Sequence, residues 1–405
     1  MTDLSIQARH FQKYYRYIQM KTPANHLKNI PTPFYFYDME LLTRTLSVIS
    51  EVTKATPDFH VHYAIKANAN PRILKTIAEA GFGADCVSGG EIKVAVAAGF
   101  PADKIVFAGV GKSDEEIRLG LEAGISCFNV ESLPELEIIS QLAAQAGKTA
   151  NVAFRINPNV DAHTHKKITT GLHENKFGIA MEDTFTAIDR AKGLPNINYT
   201  GLHFHIGSQI TDMSAYHHLC QRINDLLKQL EEKGITTSSI NVGGGLGIDY
   251  ENPQDHPIPD FGSYFHLFRN HLQLRPGQTL HFELGRSVVA QCGSLIAKVL
   301  YVKKGHTKQF LILDAGFTEL IRPAMYQAYH LIENINQPAS NPSERYDVVG
   351  PICESSDVFG KEILLPVSKR GDLIALRSAG AYGETMASTY NCRPLPKSYF
   401  SSDFE

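Results

Sequence analysis

The 405-residue sequence holds no block of like charges, and its net charge is only -3. A chain that tracks a nucleic-acid backbone or an anionic membrane needs such a block, so neither partner is expected. No apolar run approaches the roughly 20 residues that a membrane-spanning helix requires. Residues 1–20 are polar and aromatic and lack the apolar core of a signal peptide. The six cysteines (Cys86, Cys127, Cys220, Cys292, Cys353 and Cys392) are scattered with no C-x-x-C pair. That spacing suits neither a zinc cluster nor a disulfide scaffold, and reduced thiols in a cytoplasmic protein are the simpler expectation. No G-x-G-x-x-G follows the first predicted strand, which argues against an open dinucleotide-binding sheet.

What is present is an ordinary globular composition, with 43% hydrophobic and 20% charged residues. The length suits two domains, because a single core rarely grows past about 250–300 residues. From about residue 60, short apolar or β-branched runs alternate with helical patterns, the signature of a parallel α/β fold. Strands are predicted over 60–66, 83–87, 105–108, 127–130, 151–156, 199–205, 240–242 and 280–283. Asn70 can cap a helix with Pro71 at its first position, Ile73, Leu74 and Ile77 on one face, and Gly81 past its end. Leu219, Ile223, Leu226, Leu227 and Leu230 recur at helical spacing until Gly234. Eight such strands fit a (β/α)8 barrel, which typically needs about 250 residues.

After Glu283 the pattern turns to strands, at 294–302, 310–314, 346–349 and 372–377, with 338–344 a loop by composition. The expected organisation is an N-terminal extension over 1–39, whose 33–37 strand joins the later sheet. A (β/α)8 barrel over 40–288 and an all-β domain over 289–405 follow.

In a barrel, chemistry sits at the C-terminal ends of the strands. Lys66 ends the first predicted strand in Tyr63-Ala64-Ile65-Lys66-Ala67-Asn68. Burial disfavours an ammonium, and a lysine that loses its proton readily can form a Schiff base. Taken alone, the hexapeptide favours a strand-end lysine that snorkels to water. Three other features fall at the same rim: His205 with Ser208, the run Gly243-Gly244-Gly245, and Glu283 with Arg286. Consecutive glycines let backbone N–H groups approach an anion, and barrels often hold phosphate after strands 7 and 8. The same run also reads as a tight turn. Two H-x-H pairs, His60/His62 and His203/His205, raise a metal site. Against it, His62 lies four residues before Lys66, roughly 13 Å at strand rise, and reads as an interior histidine. A reactive lysine, an anion cradle, a ring-height histidine and a carboxylate together describe a pyridoxal phosphate site. Glu283 would pair with the ring nitrogen, unless it serves as a structural salt bridge to Arg286.

These residues and the motifs around them resemble the alanine-racemase-like barrel family of pyridoxal phosphate-dependent decarboxylases. The match rests on 63–68, Gly-Ala-Asp-Cys-Val-Ser-Gly-Gly-Glu at 83–91, Gly-Leu-His-Phe-His-Ile-Gly-Ser-Gln at 201–209 and Asn-Val-Gly-Gly-Gly-Leu-Gly-Ile at 241–248. It continues through Glu-Leu-Gly-Arg at 283–286, Gly-Pro-Ile-Cys-Glu-Ser-Ser-Asp at 350–357 and Gly-Ala-Tyr-Gly at 380–383. The resemblance implies that Lys66 carries the cofactor and His205 stacks on its ring. It implies that Ser208, Gly243, Gly244 and Gly245 hold its phosphate with Tyr382 nearby, that Arg286 also binds the cofactor, and that Glu283 serves the ring nitrogen. Cys353 and Glu354 match a pair that reaches the partner subunit's site in this family, Cys353 assisting protonation at Cα and Glu354 meeting a distal amino group. A homodimer with shared sites is therefore expected.

Arg322 and Tyr326 match the family's distal-carboxylate site, with Arg286 as a further contact and Tyr382 close by. An arginine fork binds carboxylate and repels the terminal ammonium of ornithine or lysine. The expected reaction is decarboxylation of meso-diaminopimelate to L-lysine. Decarboxylation of another basic amino acid, ornithine or arginine, and non-catalytic pyridoxal phosphate binding are the alternatives. Two departures from the family pattern stand out: Leu284 where proline is frequent, and Cys392 where glycine is frequent.

Overall fold

The computed structural model describes residues 27–160 and 176–404. Residues 1–26 of the predicted N-terminal extension therefore lie outside the described part. The chain forms two compact units. One comprises Thr45–Gly247 and Asp260–Val288; the other takes in residues up to Arg44, Ile248–Pro259 and Val289 onward.

The first unit is a closed parallel barrel. Its eight strands are Phe59–Ala64, Gly83–Cys86, Ile105–Phe107, Cys127–Val130, Ala150–Asn157, Ile197–His203, Ser239–Asn241 and Thr279–Leu284. Thr279–Leu284 pairs with both Ser239–Asn241 and Phe59–Ala64, which closes the ring. Each predicted barrel strand has its counterpart. A short strand, Ile179–Ala180, adds to the edge of Ala150–Asn157.

Local signals set the helix boundaries. Asn70 accepts a hydrogen bond from the Arg72 N–H ahead of helix Pro71–Glu79, and Ile73, Leu74 and Ile77 are buried. Ser88, Ser113 and Ser132 cap the next three helices in the same way, Ser113 with Glu116 in a reciprocal capping box. Helix Ser214–Glu232 buries Leu219, Ile223, Leu226, Leu227 and Leu230, as its spacing predicts. Outside the strands, Phe261, Tyr264, Phe265 and Phe268 bury one face of helix Phe261–His271, and Phe265 meets Phe282 edge-on. No helix among the described residues is long and apolar enough to cross a membrane.

The second unit is built on an eight-stranded sheet. Phe34–Tyr37 lies in it between Gly293–Lys304, antiparallel, and Lys397–Phe400, parallel. Phe34, Phe36, Ile296, Leu373 and Ala375 pack one core over this junction. Three strands, Ile332–Asn334, Val358–Pro366 and Lys397–Phe400, escape the sequence pattern. Val358–Pro366 carries Gly360, a left-handed Glu362 and an exposed Leu364, so its alternation is broken where a bulge interrupts its pairing.

Candidate active site

Lys66 stands one step beyond its predicted place. The strand ends at Ala64, and Ile65–Ala67 is a 3-10 turn that lifts Lys66 off the strand. Its side chain is 39% exposed, and its Nζ lies 3.2 Å from Asp85 Oδ2. Asp85 sits on the neighbouring strand and is fully buried. Burial pushes its carboxyl up, as does the negative charge of Glu283, against the pull of the Lys66 ammonium. Asp85 Oδ1 has no hydrogen-bond partner among the described residues. The lysine is thus a half-exposed, ion-paired amine, and the buried member of the pair is the aspartate.

Glu283 forms the floor of the same cavity. Its strand position pairs in register with His62, two residues below the end of that neighbouring strand. Asn129 and Asn241 donate to Oε1 at 3.2 and 2.8 Å, and His203 Nε2 lies 3.0 Å from Oε2. Burial opposes ionisation here. The hydrogen bond from His203, and with it the Lys66 ammonium, nevertheless hold the Glu283 carboxyl below the usual carboxylate range. Glu283 is therefore an anion. The alternative role as a salt bridge to Arg286 is not the arrangement found: Arg286 Nη2 donates to Ser208 Oγ at 2.9 Å.

His205 lies just past strand Ile197–His203 and accepts from the Gly244 N–H through Nδ1 at 3.4 Å. Burial, then the positive charges of Arg155 and Lys66, lower its pKa well below the ordinary value, so the ring is neutral. Arg155 is itself held by Glu131 at 2.9 Å.

The glycine run has a packing reason before it has a chemical one. A Cβ on Gly244 would stand 1.8 Å from the Glu283 carbonyl oxygen, and one on Gly243 would stand 2.4 Å from the Phe204 carbonyl. Gly243 and Gly245 also have positive φ, of 68° and 101°. Only glycine lets this turn cross so close to two neighbouring strands.

His60 and His62 do not form a metal pair. His62 is buried, with Nδ1 3.1 Å from the Lys104 carbonyl and Nε2 2.9 Å from His281 Nδ1.

In the second unit, Arg322 is buried, with Nε 3.3 Å from His330 Nε2 and its guanidinium over the rings of Tyr250 and Tyr382 at 5.4 and 5.9 Å. Tyr326 ends the same short helix, Arg322–Tyr326. Cys353 is exposed, and Glu354 accepts from the Tyr390 hydroxyl at 2.9 Å. Tyr382 adopts a left-handed φ of 56°.

Sequence reasoning met His203 only as half of a candidate metal pair and assigned no role to Asp85, Asn129 or Asn241. Three of the four were within its reach: Asp85 is a carboxylate inside an apolar strand, His203 shares a strand face with His205, and Asn241 opens the glycine motif. Asn129 carries no sequence signal and is found only by the closure of the barrel.

The donor set fits pyridoxal phosphate. An amine at the rim, a buried carboxylate held as an anion below it, a neutral imidazole, and a hydroxyl, a guanidinium and a glycine turn all belong to one barrel. Residues 44–290 match the family described as pyridoxal-dependent decarboxylase, pyridoxal binding domain. The chain is 64% identical over 381 residues to a diaminopimelate decarboxylase of Bacteroides thetaiotaomicron, covering 94% of this chain and 98% of that one. It is 42% identical over 368 residues to the diaminopimelate decarboxylase of Zymomonas mobilis, covering 90% and 86%. The crystal structure of the Helicobacter pylori diaminopimelate decarboxylase complexed with L-lysine superposes with a TM-score of 0.88 at 41% identity, covering 94% of both chains. Barrel, donor set and similarity over the whole length agree, and the chain belongs to the pyridoxal-dependent decarboxylase family, on its diaminopimelate decarboxylase branch.

Proposed function

We infer that the protein decarboxylates meso-diaminopimelate to L-lysine and carbon dioxide, a lysine-forming biosynthetic step, at the barrel centre around Lys66 and Glu283. The observation that carries this reading is the 64% identity to a diaminopimelate decarboxylase over 94% of the chain. When bound, pyridoxal phosphate supplies an aldehyde for an amine and a protonated ring that accepts the electron pair left as carbon dioxide departs.

The chain's own residues do the rest. Lys66 Nζ would hold the cofactor at its aldehyde, and Asp85 fixes where that amine points. The Glu283 carboxylate holds a proton on the ring nitrogen, since a buried anion favours a cation beside it. The neutral His205 ring offers a flat face without a competing charge. Ser208 and the turn at Gly243, Gly244 and Gly245 serve the phosphate, with Arg286 as a further contact.

The roles of the remaining residues rest on their motifs. Arg322 and Tyr326, with Arg286, take the distal carboxylate of the substrate, and Tyr382 serves the cofactor phosphate. Cys353 returns a proton to Cα and Glu354 meets the distal ammonium, each from the partner subunit of a cytoplasmic homodimer.

Carbon dioxide release tests the reading. Purified holoenzyme should turn over meso-diaminopimelate faster than ornithine, arginine or lysine. Faster release from ornithine or arginine would move it to another basic amino acid, and none at all with cofactor bound would leave a binding protein. Mixing Lys66→Ala with Glu354→Ala should regain part of the lost activity through heterodimers with one intact site. If subunit exchange occurs and nothing returns, the shared site is wrong.

A further inference from the structure

The Glu283 carboxylate is held by three donors, two amides and one imidazole, and the imidazole differs in kind because it can carry charge. His203 Nε2 stands 3.0 Å from Glu283 Oε2, with side chains 1% and 5% exposed. A nitrogen facing a carboxylate at that distance carries a proton. The open question is the other ring nitrogen. His203 Nδ1 is buried and has no hydrogen-bond partner among the described residues. A neutral ring leaves only an unused lone pair there. An imidazolium would bury a charged N–H with no acceptor, which is far costlier. The surroundings therefore select the neutral Nε2–H tautomer.

That choice bears on the ring nitrogen of the cofactor. An imidazolium beside Glu283 would already neutralise the carboxylate, leaving little net charge to hold a proton on a pyridine ring. A neutral donor orients Oε2 and leaves the whole negative charge in place. Asn129 and Asn241 do the same at Oε1 without any charge of their own. From this geometry, and resting on the cofactor reading above, we propose that His203 is a positioning residue for the reaction. As a neutral imidazole it fixes the Glu283 carboxylate and preserves its full charge for the cofactor ring nitrogen.

Two variants and one labelled preparation test this. Holoenzyme carrying ring-15N pyridoxal phosphate and 15N-histidine is studied by solid-state NMR. His203 is assigned as the histidine signal lost in His203→Gln. The unmodified protein should show one protonated nitrogen on His203 and a pyridinium-type cofactor nitrogen. His203→Gln keeps an N–H donor at similar reach and should keep kcat within about 3-fold. His203→Leu removes the donor and should lower kcat roughly 10- to 100-fold, the range for loss of an orienting partner, with KM little changed. Its cofactor nitrogen should shift toward the unprotonated pyridine range. A doubly protonated His203 in the unmodified holoenzyme would overturn the proposal, and that measurement stands even if His203→Leu fails to fold. Unchanged kcat and an unchanged cofactor signal in folded His203→Leu would also overturn it. Failure of the unmodified protein to bind cofactor would instead remove the function reading, and this proposal with it.

Discussion

Two polar clusters lie side by side inside the same barrel, His281 of one and Glu283 of the other two residues apart on a single strand, and they are built on opposite terms. The first joins His62 and His281. The Lys104 carbonyl can only accept, so His62 Nδ1 donates to it and His62 Nε2 must accept from His281 Nδ1–H. His281 Nε2 then accepts from the Thr279 hydroxyl at 2.9 Å. Both rings are neutral, and both ring nitrogens of each are used. Burial agrees, lowering the His62 pKa to about 4 and pushing His281 down further. The second cluster sets the charged groups Lys66, Asp85 and Glu283 around the His203 imidazole, with atoms left over: Asp85 Oδ1 and His203 Nδ1 have no partner among the described residues. A closed, neutral relay stabilises a fold. A charged cluster with unused atoms costs stability and is kept for chemistry.

Substitutions can break that contrast, and the largest effect falls on the amine. Lys66→Ala should abolish carbon dioxide release by about 10³-fold or more, because no other group in the barrel cluster is an amine. The loss of the protein-bound cofactor absorption band would accompany it. Glu283→Gln should follow, lowering kcat by roughly 10²–10³-fold with cofactor still bound, since a preorganised charge is exchanged for a neutral group of the same shape. Should Glu283→Gln prove as active as the parent, the charged cluster has no chemical purpose.

The relay should respond in the other currency. His62→Leu leaves the Lys104 carbonyl and a His281 N–H unpaired, and should cost roughly 2–3 kcal/mol in denaturant unfolding with kcat within a few-fold. Its pH dependence has a definite sign. The His62 pKa in the folded protein is lowered to about 4 from an ordinary 6.5, so the unfolded chain binds more protons in that window. Stability conferred by the neutral ring is complete above 6.5 and is lost as the pH falls through about 4. The stability gap between parent and His62→Leu should therefore narrow on acidification, and a gap that widens would contradict the neutral relay.

How much of this was legible beforehand follows from range. The barrel strands and their caps are local signals, and Ser113 with Glu116 or Asn70 with Pro71 need only a few residues to declare themselves. Lys66 was found for an incomplete reason: its setting reads as a buried strand, yet the 3-10 turn lifts it clear and the buried charge is its partner. Asn129 meets Glu283 from 154 residues away, a contact set by ring closure that no window of sequence contains. Glu283 itself reads as a rim residue, while the stagger of parallel strands places it level with His62.

The smallest expected effect concerns a departure from the family pattern. Cys392 adopts a φ of 58°, in the left-handed region where glycine is unstrained, which accounts for glycine being frequent there. Cys392→Gly should change unfolding free energy by no more than about 1 kcal/mol, relief of strain being offset by a more flexible unfolded chain. Leu284, the other departure, is fully buried at the strand end and keeps the ladder to Tyr63 intact.

The central claim is that the charged cluster, and not the relay, holds the cofactor. Borohydride reduction of the holoenzyme, followed by peptide mass mapping, tests it most directly. The cofactor-derived mass should be fixed on the peptide carrying Lys66 and on that residue alone; the mass on another lysine, or on none while cofactor is bound, would contradict the account.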